Sequence, residues 1–452
     1  MKTGKVTVIL VSRVSKEERP MRKLQFLLLV LVIMTFVLPG CSRYAGSSEA
    51  SETLKAEVME PVKLKFSMWG NDAQKMMYEG LIAEFKKTHS NIEVEIVVIP
   101  FADYQQKLSI MLASRTAPDV GWLADRMIPQ LIESGQLADI SSSVMNDNDY
   151  NLSDMYPSTL TMFRRGDKLY GIPFSTPPVM MYYNKSLFRD KGLKTPTELY
   201  KEGNWTYEQF LHAAKAIAEP GSGVYGVKLV RDWNNWSDAL LPLFWSHGAD
   251  LFTKDGTAFA LNSAEGREVL QLYSNLMFKD GVHPQPGDEI DFESGKIGMY
   301  TDRYSYMSKA RAITDFAWDI APMPEGVKGT GTSLGYAGYS VFDTENPMEA
   351  EEFLKFITNA SSMGVTSQYF VPSRKSVLES DIFMNSASQP SAESIQLAVL
   401  DQMSEARIAP GHRNWQEIDV KIQMLLDHIY TQSSSVEEVL KQMEAEVNAI
   451  MK

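Results

Sequence analysis

The alternation of strand-like and helix-like segments between Val62 and Val120 constrains this chain most. "VKLKFSMWGND" alternates from Val62 to Met68 and then breaks at Trp69, Gly70, Asn71 and Asp72. That pattern predicts a strand ending in a polar loop. "AQKMMYEGLIAEFKKTHS" follows, with Met77, Leu81, Ile82 and Phe85 at helical spacing. "IEVEIVVIP" reads as a second strand, and "YQQKLSIMLASRTAPDV" as a helix ending near Pro118 with a short buried strand after it. The order β-α-β-α-β implies a parallel sheet with helices on both faces. Ligands of such sheets bind outside the carboxyl ends of the strands. The loops after Met68 and Val120 lie at that edge, and they carry Trp69, Asn71 and Asp72 in one case and Trp122 and Asp125 in the other.

A second αβ set begins near "VMMYYNKSLF" and runs through "NWTYEQFLHAAKAI", where Thr206 is placed to cap a helix. "GKIGMYTDRYSYMSKA" predicts a strand, a loop from Tyr300 to Tyr306 and a helix. "FAWDIAPMP" predicts another strand, and "EAEEFLKFITNA" and the stretch 415–451 predict helix. Two α/β lobes fit the length.

The amino-terminal region sets the expected location. Residues 24–38, LQFLLLVLVIMTFVL, are apolar except for Gln25 and Thr35, and Met21-Arg22-Lys23 stand just before them. A basic start, a short apolar segment and a small-residue break make a secretory signal peptide. The segment is shorter than the roughly 20 residues that span a bilayer as a helix. The pattern begins cleanly at Met21, which suggests that this methionine is the start. Cys41 is the single cysteine of the chain, so it forms no disulfide within it. Leu38-Pro39-Gly40-Cys41 resembles a bacterial lipobox, in which the cysteine sulfur takes a diacylglyceryl group and becomes the mature terminus; Pro39 departs from the usual residue there. Residues 1–40 are read as signal peptide and 41–60 as lipidated cysteine and flexible stalk, tethering the protein to the outer face of a Gram-positive-type cell membrane.

Charge narrows the partners. Residues 1–40 hold seven of the 44 Lys/Arg and two of the 57 Asp/Glu, so 37 basic and 55 acidic side chains remain, a net charge of −18. An acidic surface argues against nucleic acid and against electrostatic attachment to anionic lipid.

Catalytic signatures are missing. The histidines at 89, 212, 247, 283, 412 and 428 form no metal-type pair, and no H-E-x-x-H, Walker loop or G-x-S-x-G occurs. No metal, cofactor or catalytic residue is expected, and the chain is not read as an enzyme. A glycosidase acid/base pair is not excluded by one sequence. The positive content is aromatic rings beside amides and carboxylates in loops. Sugar C–H faces lie on aromatic rings, and sugar hydroxyls pair with Asp, Asn and Arg.

The lipobox, "KLKFSMWGND", "APDVGWLADRMIPQLIESGQLADIS", "KLYGIPFSTPPVMMYYNKSLF", "FESGKIGMY", "FAWDIAPMPEG" and "GYSVFDTENPMEAEEFLKFIT" together resemble the family-1 extracellular solute-binding proteins of ABC importers, whose best-known relative is the maltose-binding protein. The resemblance runs from about Val62 to the carboxyl terminus. It implies a two-lobed α/β periplasmic-binding-protein-like fold of type II, with a hinge of three crossovers and a ligand cleft between the lobes. By analogy the crossovers fall near 176–180, 317–320 and 358–362. Lobe 1 then comprises 61–176 and 320–360, and lobe 2 comprises 180–317 and 362–452. The implied function is capture of a sugar or oligosaccharide for an ABC permease by a monomeric, membrane-tethered protein. A surface carbohydrate-active enzyme and a binding protein for a non-sugar solute are the alternatives.

The resemblance also suggests binding residues. Asn71 beside Trp69 falls where the loop after the first strand contacts sugar. Asp125-Arg126 matches a sugar-binding pair, although an ion pair at a helix start is the other reading. Ser175 and Thr176 lie at the first crossover, where the cleft floor passes, and Trp122 is a candidate from the loop after Val120. Trp233, Trp236, Tyr300, Asp302 and Tyr304 are candidates from the second lobe, and Trp415 matches a stacking position. Tyr336, Tyr339 and Arg374 are rim candidates. Trp205, Trp245 and Trp318 are expected in the core.

Overall fold

The computed structural model describes residues 61–230, 236–285, 287–385 and 390–452; the signal segment, Cys41, the stalk and Trp233 lie outside the described residues. The strands of its two main sheets are β1 (Val62–Met68), β2 (Ile92–Val98), β3 (Val120–Ala124), β4 (Ile172–Ser175), β5 (Val179–Asn184), β6 (Tyr225–Lys228), β7 (Ile297–Arg303), β8 (Trp318–Ala321) and β9 (Ala337–Val341).

The first sheet has the order β2-β1-β3-β9-β4. β1 runs parallel to β2 and β3, as the β-α-β-α-β pattern requires, while β9 is antiparallel to both β3 and β4. α1 (Asp72–Thr88) starts at the end of β1, where Asn71 accepts from the Gln74 amide at 3.0 Å and the Gln74 side chain returns the bond to the Asn71 amide. This reciprocal cap satisfies two of the free donors of the first turn. Gly121 in β3 is required by a close approach, because a Cβ there would stand 2.5 Å from Ser67 Oγ on the adjacent strand.

The second sheet has the order β8-β5-β7-β6. β5 is buried along its whole length. Val179, Met181 and Tyr183 enter one apolar cluster and Met180 and Tyr182 the other, so helices and loops cover both faces of this central strand. The anticipated helix cap forms here: Thr206 accepts from Gln209 ahead of a helix at Tyr207–Ile217. The carboxyl-terminal stretch is two helices rather than one, Trp415–Tyr430 and Val436–Met451. Gln432 between them adopts φ of 54°, which ends the first helix, and Ser435 opens the second with its own capping box.

The passages between the sheets differ from expectation in two places. The first lies between Ser175 and Val179, as anticipated. β8 pairs antiparallel with β5, so residues 318–321 belong wholly to the second sheet, and the chain rejoins the first sheet only at β9. The third passage comes later than 358–362, because the helix Ala360–Thr366 buries Met363 in the first core. Phe370 still belongs to that core and Val371 to the other. Trp205, Trp245 and Trp318 are buried, in line with their reading as core.

Candidate ligand-binding site

A cavity of about 260 Å³ opens at the carboxyl edges of β1, β3, β4 and β7. Each strand delivers its last side chains there. Trp69 directly follows β1, Asp125 and Arg126 follow β3, Ser175 ends β4, and Asp302 and Arg303 end β7. The helix Trp236–His247 adds Ser237 and Asp238 from its first turn, and the helix Trp415–Tyr430 adds Trp415 and Asp419. The site therefore draws on both sheets.

One wall is aromatic. The Trp69 ring stands edge-on to Trp122, with centroids 4.9 Å apart and an interplanar angle of 89°, and edge-on to Phe101 at 5.4 Å. Phe174 and Phe370 continue the wall behind Trp122. Trp69 is half-buried, so part of its ring surface stays open. Trp122 is buried, and its indole N–H has no hydrogen-bond partner among the described residues.

The other wall is charged. Arg303 donates from Nη2 to Asp238 Oδ1, and the same nitrogen lies 3.7 Å from Asp125 Oδ2 on the first sheet. One guanidinium thus links carboxylates from both sheets. Gly335 makes room for it, since a Cβ there would meet Arg303 Cδ and Nε at 2.7 Å. Asp302 accepts from the Tyr300 hydroxyl at 3.1 Å and from the Arg303 amide at 2.7 Å. Arg126 lies over the Phe101 ring at 5.0 Å, a cation–π arrangement. Asp419 accepts from Trp236 Nε1 at 2.8 Å and from Gln423 at 2.9 Å.

These carboxyls do not titrate alike. Burial pushes Asp238 up to about 6; Arg303 opposes the shift, and Asp125 and Asp302 add to it. Burial also raises Asp419, against the hydrogen bond from Trp236. For Arg303, burial alone would weaken proton binding, but the Asp238 and Asp125 carboxylates reverse the direction and hold it firmly charged. The result is a set of fixed charges beside open aromatic surface.

The anticipated residues divide into two groups. Trp69, Trp122, Asp125, Arg126, Ser175, Asp302, Tyr336 and Trp415 line the cavity. The others stand elsewhere. Asn71 is occupied as the cap of α1. Thr176 is fully buried at the first passage. Trp236 is 1% exposed and packs inward, because the helix it opens is apolar nearly all round and its indole N–H is taken by Asp419. Tyr300 and Tyr304 sit in the core beneath the second sheet, and Tyr339 in that of the first, its ring stacked on Phe174 at 4.3 Å. Arg374 is no rim residue: it donates to the carbonyls of Thr358, Asn151 and Tyr150 at 2.7, 3.0 and 2.9 Å.

Arg303, Asp238, Asp419, Phe101 and Phe370 were not anticipated. Asp238 had a readable signal. In "WSDAL" the tryptophan is the residue an apolar core claims first, which leaves Ser and Asp for the water side. Arg303 directly follows Asp302 at the end of a strand and could have been taken with it.

Two sheets with a charged and aromatic cavity at their carboxyl edges define a two-lobed solute-binding protein. Residues 74–364 match the model of the family described as bacterial extracellular solute-binding protein, and the chain belongs to that family. It is 26% identical over 391 residues to a binding protein of Brucella abortus (strain 2308), covering 83% of this chain and 90% of the relative. It is 22% identical over 364 residues to the arabinooligosaccharide-binding protein of Bacillus subtilis (strain 168), covering 74% and 76%. Among solved structures it is similar to the ABC substrate-binding protein of Listeria monocytogenes in complex with cycloalternan, with a TM-score of 0.78, 23% identity, and coverage of 87% of this chain and 99% of that one.

Proposed function

We propose that this protein is the lipid-anchored, extracytoplasmic binding component of an ABC importer, that it captures a sugar or oligosaccharide, and that it releases the sugar unaltered to the permease. The observation that carries the reading is the pairing of open aromatic surface at Trp69, with the largely buried Trp415 in the opposite lining, and the charges of Asp125, Arg126, Asp302 and Arg303 in one cavity fed by both sheets. Aromatic faces take sugar C–H surfaces, and carboxylates and guanidiniums take hydroxyls in a plane. A ligand touching both sheets makes contacts in a closed arrangement that an open one lacks, so binding shifts the population toward closure. The sugar specificity named for the Bacillus subtilis relative and the cycloalternan bound by the Listeria monocytogenes protein support a carbohydrate ligand. Cys41 provides the tether and residues 41–60 the stalk, the protein acting as a monomer.

A thermal-shift screen of the mature chain against neutral oligosaccharides tests the reading. A ligand at 100 times its dissociation constant adds about 2.7 kcal/mol of stability, a readily measured rise in melting temperature. A screen in which peptides or polyamines stabilise the chain and no sugar does would remove the carbohydrate assignment.

A further inference from the structure

We infer that the cavity selects its sugar by charge: it admits neutral or ammonium-bearing sugars and rejects those carrying a carboxylate or phosphate. The inference rests on the carbohydrate reading above and answers a question that reading leaves open. Among the described lining residues the acids are Asp125, Asp238, Asp302 and Asp419, and the bases are Arg126 and Arg303.

Of the two bases, Arg303 is already neutralised by carboxylates. Arg303 is committed to Asp238 and Asp125, while Arg126 lies against the Phe101 ring and is close enough to Asp419 for the two charges to attract. An anionic substituent entering here would have to displace a carboxylate from Arg303, and that carboxylate would remain in the cavity wall because Asp238 is buried. Like charges held together at low solvent exposure are costly. The excess acid is built in by the fold: Asp419 is held by Trp236 and Gln423, and Asp302 by the Tyr300 hydroxyl and the Arg303 amide.

A second observation points to a ligand that both accepts and donates hydrogen bonds. Trp122 Nε1, Arg126 Nε and Arg303 Nε are buried donors on lining residues with no partner among the described residues. Neutral sugar hydroxyls accept from such donors and at the same time donate to the carboxylates, which an anionic oxygen cannot do.

The experiment compares three matched panels by calorimetric titration at neutral pH and physiological salt. They are neutral gluco-, galacto- and arabino-configured oligosaccharides, the same gluco and galacto compounds oxidised to a terminal uronate, and their 2-amino derivatives. The uronate is expected to bind at least tenfold more weakly than its neutral parent, and the amino sugar as tightly or more tightly. In Asp238→Asn and Asp419→Asn the ratio of neutral-sugar to uronate affinity should fall, whatever the change in neutral-sugar affinity itself. Uronates that bind as well as their parents overturn the charge selection and leave the carbohydrate reading standing. If no member of any panel binds, the carbohydrate reading itself fails, and the charge selection with it.

Discussion

Replacing Arg374 by Met tests whether that side chain is a brace or a binding residue. It is 2% exposed and uses all three guanidinium nitrogens on carbonyls of two distant segments, Tyr150 and Asn151 on one side and Thr358 on the other. Asp154 lies 3.5 Å away and the Tyr150 ring 4.7 Å below. Hydrogen bonds from a charged donor contribute roughly 1.5–3 kcal/mol each, and removing the donor leaves buried carbonyls unpaired. Methionine recovers part of the loss by filling the volume with apolar contact. The net cost is about 3–5 kcal/mol, in the range of a broken buried network. Urea unfolding followed by tryptophan fluorescence measures it as a fall in the midpoint at unchanged slope. The folded fraction should bind sugar within about twofold of the parent, since Arg374 stands outside the cavity wall. A stability loss below about 1 kcal/mol together with a tenfold weaker affinity would refute the argument and restore Arg374 to the rim.

Three further outcomes follow from the same geometry. Trp236→Ala should destabilise by about 3–5 kcal/mol through the cavity it leaves and the unpaired Asp419, with affinity changed far less; urea midpoints and titrations on one preparation separate the two effects. Asp238 is raised from an unfolded value of about 3.9 to about 6, so the folded state holds its proton longer; its contribution to stability is present below pH 4 and lost as pH rises from about 4 to about 6, a total of about 3 kcal/mol. Asp238→Asn should therefore flatten the melting-temperature profile in that window, and an unchanged profile would show that another group titrates. Cys41→Ala should abolish incorporation of a fatty-acid analogue in cells, and retained label would contradict the tether.

The parallel β1, β2 and β3 and the helices between them were legible because strand and helix periods differ and each segment is long enough to show its own. The edge of that sheet followed from topology alone, which is why Trp69, Trp122 and Asp125 could be placed at the cavity from sequence, whereas Arg126 came from the family resemblance. The second lobe was harder. β5 is buried on both faces, so it shows no alternation, and the aromatic residues around it divide between cavity and core by tertiary packing that no local pattern encodes. Tyr300 and Tyr304 went inward for that reason, while their polar neighbours Asp302 and Arg303 faced the cavity. Arg374 misled in the same way, since a lone arginine reads as surface until its carbonyl partners, more than 200 positions away at Tyr150 and Asn151, are brought to it.

The central claim is that a sugar binds between the two sheets and leaves unchanged. Calorimetric titration of the mature chain, Trp69→Ala and Asp125→Ala with the best sugar of the neutral panel, followed by chromatography of the recovered sugar, tests it most directly. The account predicts one site per chain, intact sugar after long incubation, and losses of about 1–2 kcal/mol for Trp69→Ala and at least as much for Asp125→Ala, with melting temperatures of the empty proteins little changed. Unaltered affinity in both variants, or a sugar recovered as hydrolysis products, would contradict it.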